Sequence, residues 1–497
     1  MSGGHRLYLE IEMKQLSGQD AMFLHTELEG FPMHIGGVSI YDQSTCPNGI
    51  VRFKDILDMF ANRLDRSPIF RRKLAMVPYN LDQPYWIEDK DFDLEFHVRH
   101  IALPKPGDWR QLCIQVARLH SRPLDRSRPL WEAYVIEGLN NVEGVPEGSF
   151  ALYLKVHHSA IDGASGVQFF GAFNDLSPEP PAATPPKPWK AEAAPSKGKL
   201  LRQAYISNLK KPVEMFQLAR KALPARKRIA EGIEEGLFDK PPEAPDTRFN
   251  TNLGPHRVVD AVKFDFEEVR AIKSAVEGAT INDTVLAIVA GAMRKYLDSK
   301  GELPEENLTT LCPVNIRDEN EKESVGNMVG TMSVTLSTET EDPKERLANI
   351  HANAVAAKAY TAALGPRLFM DLTDTVPVGI QSLLVSLTVA LDTAEKNVMQ
   401  NTTVTNVPVG GGQLYMCGAQ IIDSFGIGPV APGMGLFHTV NTIVMNKKGT
   451  LTLAFICCRD AMPDPGFYAA CLQQSYDDLK AACLGGGRKK AGKKKPA

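Results

Sequence analysis

Over the first 178 residues the hydrophobic positions alternate between a period near two and a period near 3.6. "HIGGVSIYD" (34–42) reads as a strand, and "VRFKDILDMFANRLDRSP" (51–68) places Phe53, Leu57, Phe60 and Leu64 on one helical face before Pro68 stops it. Trp109, Leu112, Val116 and Leu119 repeat the helical spacing. "LWEAYVIEGL" (130–139) and "SFALYLKVHHS" (149–159) then read as two strands joined by a Gly/Pro/Asn loop. After a tight turn, Val167, Phe170 and Phe173 open another helix.

The rhythm breaks after Asp175. "SPEPPAATPPKPWKAEAAPSKG" is Pro/Ala-rich and predicts an exposed, semi-extended linker. From Lys197 to Arg228 there are ten Lys/Arg and a single acid, Glu214, a local charge of +9. Leu201, Tyr205, Leu209, Phe216 and Leu223 recur there at roughly helical spacing, so the segment predicts a basic amphipathic crossover. "DKPPEAPDTRFN" returns the chain to folded sequence. In the second half "ATINDTVLAIVAGAMRKYL" (279–297) is apolar on nearly every side, which predicts a buried helix. "HTVNTIVMNKKGTLTLAFICC" predicts a hairpin turning at Asn446–Gly449. The tail "GGGRKKAGKKKPA" carries six Lys/Arg and no acid, and is expected to be disordered. The pattern is that of two α/β halves, 1–178 and 251–484, joined by a crossover over 179–250 and followed by a basic tail over 485–497.

A chain of 497 residues exceeds one ordinary core, in keeping with two domains. The net charge of −3 gives no global field for nucleic acid. Eight cysteines without a C-x-x-C pair argue against a zinc ribbon or a disulfide framework. The N-terminus lacks the order of a secretory signal. The longest apolar stretch (376–394) carries a proline, a glutamine and several hydroxyls, and is a poor candidate for a membrane span. A cytoplasmic location is expected.

The chemistry concentrates at "YLKVHHSAIDGASG" (153–166). Strand alternation puts Phe150, Leu152, Leu154, Val156 and His158 on one apolar face, and Ala151, Tyr153, Lys155 and His157 on the other. A half-buried imidazole stays neutral at pH 7 and is suited to general-base work. Three plainer readings stand beside this one. A histidine on an apolar face is usually a satisfied core residue. Asp162 ahead of a helix serves equally as an N-cap. His158 with Asp162 could begin a metal site, though no third ligand stands at a recognisable spacing. Asn282 and Asp283, opening the buried helix, read equally as an N-cap pair. The glycines at 410–412 are not followed by the Lys-Ser/Thr of a phosphate loop.

The H-H-x-x-x-D-G run resembles the signature of the CoA-dependent acyltransferases with a chloramphenicol-acetyltransferase-like fold. Beyond it the chain resembles the bacterial wax ester synthase/diacylglycerol acyltransferases. The resemblance is carried by "LSGQDAMFLHTE", "PMHIGGVSI", "FDLEFHVRHIALPKPG" and "LHSRPLDRSRPLWEAYVIEGL". "INDTVLAIVAGAMRKYL", "PVNIRD", "VGN", "TNVP" and "LYMCGAQI" extend it through the second half. It implies two similar domains with mixed sheets flanked by helices and a tunnel between them. It also implies transfer of a long acyl chain from acyl-CoA, a substrate rather than a cofactor, to a fatty alcohol or diacylglycerol. No other cofactor or metal is called for. An enzyme of this kind would sit peripherally on the inner membrane face or on lipid inclusions.

Residue by residue, the resemblance makes His158 the general base, His157 its support, and Asp162 and Gly163 the parts that shape the loop. Ser165 and the backbone around Gly163 are candidates for oxyanion binding. Asn282 becomes a polar contact to the reacting centre, with Asp283 architectural, and Arg317 the partner of Asp162. The chain departs from the family where Asn406-Val407-Pro408 runs into Val409 and three glycines, and where "HTVNTIVMN" replaces a Ser-Tyr-containing strand. Two other readings remain: a condensation-type enzyme with a different acceptor, and a non-catalytic lipid-surface protein.

If Asp162 and Arg317 pair across the domain junction, Asp162→Asn and Arg317→Ala should each lower thermal stability and activity. Removing one member of a buried pair costs about 3–5 kcal/mol, and the double variant should cost much less than the sum. Additive losses in the double-mutant cycle exclude the pair.

Overall fold

The computed structural model describes residues 14–46, 48–161, 169, 171–179, 189, 191, 193–240, 243–250, 253–315, 329–365, 368–381, 398, 400–408, 412–445 and 448–485. Asp162, Gly163, Ser165 and Arg317 lie outside these residues, as do most of 376–394 and the tail beyond Gly485.

Two six-stranded mixed sheets organise the chain. The first uses β1 (His34–Asp42), β4 (Val98–Ala102), β5 (Trp131–Leu139) and β6 (Ser149–His157), with a small β2 (Arg72–Ala75)/β3 (Tyr85–Glu88) ribbon beside it. The second uses β7 (Arg257–Asp265), β8 (Thr309–Asn315), β9 (Val329–Thr335), β10 (Thr402–Pro408), β13 (Leu436–Met445) and β14 (Lys448–Cys458), in the order β7-β14-β13-β10-β8-β9. Parallel pairs are mixed with antiparallel ones: β4 with β5 at the edge of the first sheet, and β10 with β8 and β13 inside the second. The hairpin predicted near residue 446 is present and tighter than expected, closing at the Met445–Lys448 pair.

The halves are not separated at residue 251. β11 (Tyr415–Met416) and β12 (Ala419–Ile427) leave the second half and complete the first sheet, giving the order β11-β12-β1-β6-β5-β4. β1 would otherwise be a long, flat edge with unpaired backbone groups. Antiparallel pairing from Gly36–Ile427 to Asp42–Gln420 removes that edge. Polar residues of "HTVNTIVMN" tie the insertion back to the second sheet. The Asn441 Oδ1 accepts from Gly426 N–H at 2.8 Å, and the Thr439 hydroxyl donates to Gly426 O.

The helices are α1 (Gly18–His25), α2 (Phe53–Ala61), α3 (Leu94–His97), α4 (Trp109–His120), α5 (Lys197–Glu234), α6 (Phe266–Lys273), α7 (Ile281–Ser299), α8 (Pro343–Leu364), α9 (Leu368–Thr375) and α10 (Pro465–Leu484). α2 ends earlier than the apolar spacing implies. The chain turns at Asn62 so that the buried Arg63 reaches Asp175 at 2.5 Å, and Leu64 is buried from outside the helix. α4 starts at an Asp108/Gln111 capping box, and buries Leu112, Val116 and Leu119 as the spacing predicts. Its cluster includes Val38, Ile40 and Tyr153 of the first sheet with Val259, Ala454 and Ile456 of the second. The Trp109 indole N–H donates to Asp260 Oδ1 at 2.7 Å across the same junction. α7 is buried along most of its length, at the centre of the second half's core. Within the crossover, α5 is one helix that runs on past the predicted limit of Arg228 and through Pro212 and Pro224.

Neutral histidines serve as internal pins. The His120 ring contacts Tyr153 OH (2.8 Å) and Gly428 O (3.1 Å), and its carbonyl meets His34 Nε2 at 2.6 Å. A Cβ on Gly36 would press into the Tyr153 ring at 2.7 Å, so only glycine fits beside this trio. In the second half, the Thr402 hydroxyl donates to Leu436 O and is left to accept from His438 Nδ1. Tyr468 then donates to His438 Nε2 at 2.9 Å.

Burial holds His120 and His438 down to about 3 and His34 well below its ordinary value. The unfolded chain takes up these protons near pH 6.5, whereas the folded one does not until about pH 3 for the first two. Stability is therefore fully present above pH 6.5 and falls as the pH drops below it, by up to about 1.4 kcal/mol per pH unit for each histidine. Urea unfolding at pH 7, 6 and 5 should show a steadily falling free energy, with a shallower decline in His438→Asn. A flat profile contradicts the neutral-pin description.

Candidate active site

β6 is buried on both faces, a consequence of its central place between β1 and β5. Phe150, Leu152, Leu154 and Val156 join a cluster with Phe60, Trp131 and Phe169. On the other face, Lys155 is wholly buried and satisfied by Glu132 Oε2 (3.2 Å), Leu119 O and Arg122 O. His157 is the last residue of the strand, level with His34 on β1. His158 therefore lies just past the strand. It opens a single 3-10 turn (His158–Ala160), with its N–H bonded to Met33 O at 2.9 Å. The direction of its side chain is set by that turn.

The two histidines have different surroundings. His157 is 1% exposed and fully engaged. Its Nδ1 accepts from Ser159 N–H at 3.1 Å, so the ring proton sits on Nε2 and is donated to Glu27 Oε2 at 2.9 Å. Neither nitrogen is left for a metal or for a substrate. His158 is half-buried and lies flat against Phe23, with ring centroids 3.9 Å apart and planes 13° from parallel. Burial lowers its pKa to about 4, opposed by a hydrogen bond with its own backbone and reinforced by His157. It is an uncharged base at neutral pH.

Glu27 is the residue that the pattern did not single out. One oxygen receives Arg126 Nη2 at 2.8 Å, and the other receives both His157 Nε2–H and Met33 N–H, each at 2.9 Å. Burial would raise its pKa; the hydrogen bond from His157, the Met33 bond and Arg126 together overturn that and bring it to about 2. The Met33 peptide thus joins Glu27 through its N–H to His158 through its carbonyl. Glu27 lies inside "LSGQDAMFLHTE", but a glutamate just past a short helix carries no local signal for a contact 130 residues away.

Asn282 and Asp283 are drawn into the second half. Asp283 forms a capping box with Thr280 and takes His351 Nδ1 at 2.9 Å, an architectural role. Asn282 is half-buried and hydrogen-bonds to the Cys312 thiol, whose pKa burial pushes up to about 12. It anchors α7 to β8. Among the described residues, no group of three or more His, Cys, Asp or Glu is placed to hold a metal.

Comparison with known proteins accords with this geometry. Residues 16–285 match the wax ester synthase/diacylglycerol acyltransferase catalytic domain, and residues 325–480 match the C-terminal domain of the same family. A Mycobacterium tuberculosis protein (strain CDC 1551) named as a diacylglycerol O-acyltransferase is 32% identical, over 91% of this chain and 87% of its own. Another from that organism, bearing the same activity name and called tgs2, is 31% identical over 95% and 99%. The solved wax ester synthase/diacylglycerol acyltransferase of Marinobacter aquaeolei VT8 superposes with a TM-score of 0.64 at 26% identity, covering 95% of this chain and 100% of that one. A starter condensation domain of rhizomide synthetase shares the fold alone, with a TM-score of 0.54 at 12% identity over 95% of each chain. With catalytic and C-terminal domains both matched around the paired histidines, the chain belongs to the wax ester synthase/diacylglycerol acyltransferase family.

Proposed function

We propose that the protein transfers a long-chain acyl group from acyl-CoA to the hydroxyl of a fatty alcohol, of diacylglycerol, or of both, with His158 as general base. The supporting observation is the inequality of the histidines: one locked on both nitrogens, the next neutral and partly accessible. His158 takes the proton as the acceptor oxygen attacks the thioester carbon. The resulting oxyanion collapses, the carbon–sulfur bond breaks, and the leaving CoA sulfur takes the proton from His158. Atoms balance without a covalent acyl-enzyme. Phe23 holds the imidazole plane, while His157, Glu27 and Met33 hold the backbone from which it projects. Acceptor and product partition into lipid, so the enzyme works peripherally, on the cytoplasmic face of a membrane or on an inclusion. Among the described residues no helix is long and apolar enough to cross a membrane.

His158→Ala should reduce kcat by about 10²–10⁴-fold, the usual worth of general-base catalysis. His157→Ala should retain more turnover but lose thermal stability, because Glu27 and Ser159 are left short of a partner. Equal residual rates in folded variants would exclude the assignment.

The pH profile is a separate check. Only neutral His158 accepts a proton, so activity falls as the pH drops through the folded value of about 4. In brief assays at low temperature, kcat/KM should stay level from pH 7 down to roughly 5.5. An acid limb centred near 6.5, the value of a solvated imidazole, contradicts a desolvated base.

A further inference from the structure

α5 carries a face that nothing in the described structure covers. Tyr205, Leu209, Val213, Phe216 and Leu223 are each between 59% and 69% exposed. Their spacing of three, four or seven residues puts all five on one side of the helix. Between Tyr205 and Leu223 the stripe is about 27 Å long at 1.5 Å per residue. Arg202 and Arg220 fall on the same line, with Lys210 and Arg226 exposed beside it, while Lys227 pairs with Glu231 at 3.4 Å one turn further on. The one acid between Lys197 and Arg228, Glu214, is half-buried and turned to Lys211 at 3.6 Å. The stripe is thus apolar at its centre and cationic at its ends and margins.

The opposite side of α5 is seated. Leu200 and Ala204 pack with Val77 and Tyr85, Asn208 Nδ2 donates to Leu81 O at 2.8 Å, and Arg228 Nε donates to Ala363 O at 3.0 Å. Lys211 donates to the Asp374 carbonyl on α9, and the Asp374 carboxylate receives Gly18 N–H, the first peptide of α1, at 2.5 Å. α9 packs against both α5 and α1, and α1 carries the Phe23 that lies on His158. The exposed stripe is therefore backed by the layer that holds the active-site histidine.

We propose that this stripe is the surface by which the enzyme docks on anionic lipid. The apolar residues insert at the level of the headgroups while Arg202, Lys210, Arg220 and Arg226 meet lipid phosphates. A protein groove would cover the apolar stripe equally well; the cationic residues at its ends and the absence of an acid on that face between Arg202 and Arg226 favour phosphate-bearing lipid. The proposal rests on the acyl-transfer reading for the reason a lipid surface is needed. Docking through α5 places the α1–α9 layer, and His158 behind it, next to the lipid that holds the acceptor.

The test is flotation of the full chain with phosphatidylcholine vesicles containing 0 or about 30% phosphatidylglycerol, at low and high salt. Wild type should float with the anionic vesicles, weakly with the neutral ones, and less at high salt. Leu209→Asp/Phe216→Asp should reduce partitioning by at least about tenfold, and Arg202→Glu/Arg220→Glu should abolish the preference for anionic lipid. Transfer to a short, water-soluble alcohol should be unchanged in both variants, while transfer to vesicle-borne diacylglycerol should fall with binding. Wild-type partitioning by the Asp variant, or a stripe that instead forms a dimer in sedimentation without vesicle binding, overturns the proposal and leaves the acyl-transfer reading intact. Loss of the soluble-alcohol reaction from wild type itself would strike at that reading and not at the surface.

Discussion

The arrangement around the paired histidines depends on one buried carboxylate. Glu27 accepts from a guanidinium, an imidazole and a peptide N–H at once. Burying a carboxylate without such partners is costly, and here the three donors more than offset the cost, as its low pKa records. The consequences spread outward. His157 is held in one tautomer, the strand ends where its ring is caught, and the next residue must leave the sheet. Met33 N–H is fixed by the same oxygen, and Met33 O takes the His158 N–H. A single ion thus sets both the immobility of one histidine and the place of the other.

That division of labour explains why the site sits at the end of a fully buried central strand. The strand offers rigid backbone on both sides, from β1 and β5. An imidazole in a desolvated setting stays neutral, and a neutral base needs no counter-ion. Charge is kept one residue away, on the Glu27 side. The same economy appears at His120 and His438, where uncharged rings bridge a hydroxyl to another acceptor or donor inside the core.

The sequence made the elements legible where a periodic pattern was buried on one side, as in α4, or on every side, as in α7. It also marked the turn at His158–Ala160, because two histidines closing an apolar run are conspicuous. What it could not display is pairing over long separations. Residues 415–427 read as part of the second half, yet they close the open edge of β1, and no local pattern states which sheet a strand joins. Glu27 was hidden for the same reason, since its meaning lies in contacts with residues 126 and 157. Alternation ran one residue past the strand, which ends at His157, so that His158 opens a turn. Asn282, expected at the reacting centre, also meets the Cys312 thiol on β8, another contact between distant residues.

The departures from the family pattern acquire a physical sense in this light. "HTVNTIVMN" supplies His438 to the second core, and Thr439 and Asn441 to the junction with β12. Side chains alternate along β13, so His438 faces inward among Tyr468 and Phe455 while Thr439 and Asn441 face Gly426 on the inserted strand. A polar strand is what that position requires, because it must satisfy the backbone of a strand lent to the other sheet. Gly426 fits there because its missing side chain would otherwise lie 3.3 Å from the Asn441 amide oxygen. The inserted strand then presses on β1, and β1 carries His34 beside His157. The strand lent across the seam and the strand that ends at His157 are thereby parts of one continuous sheet.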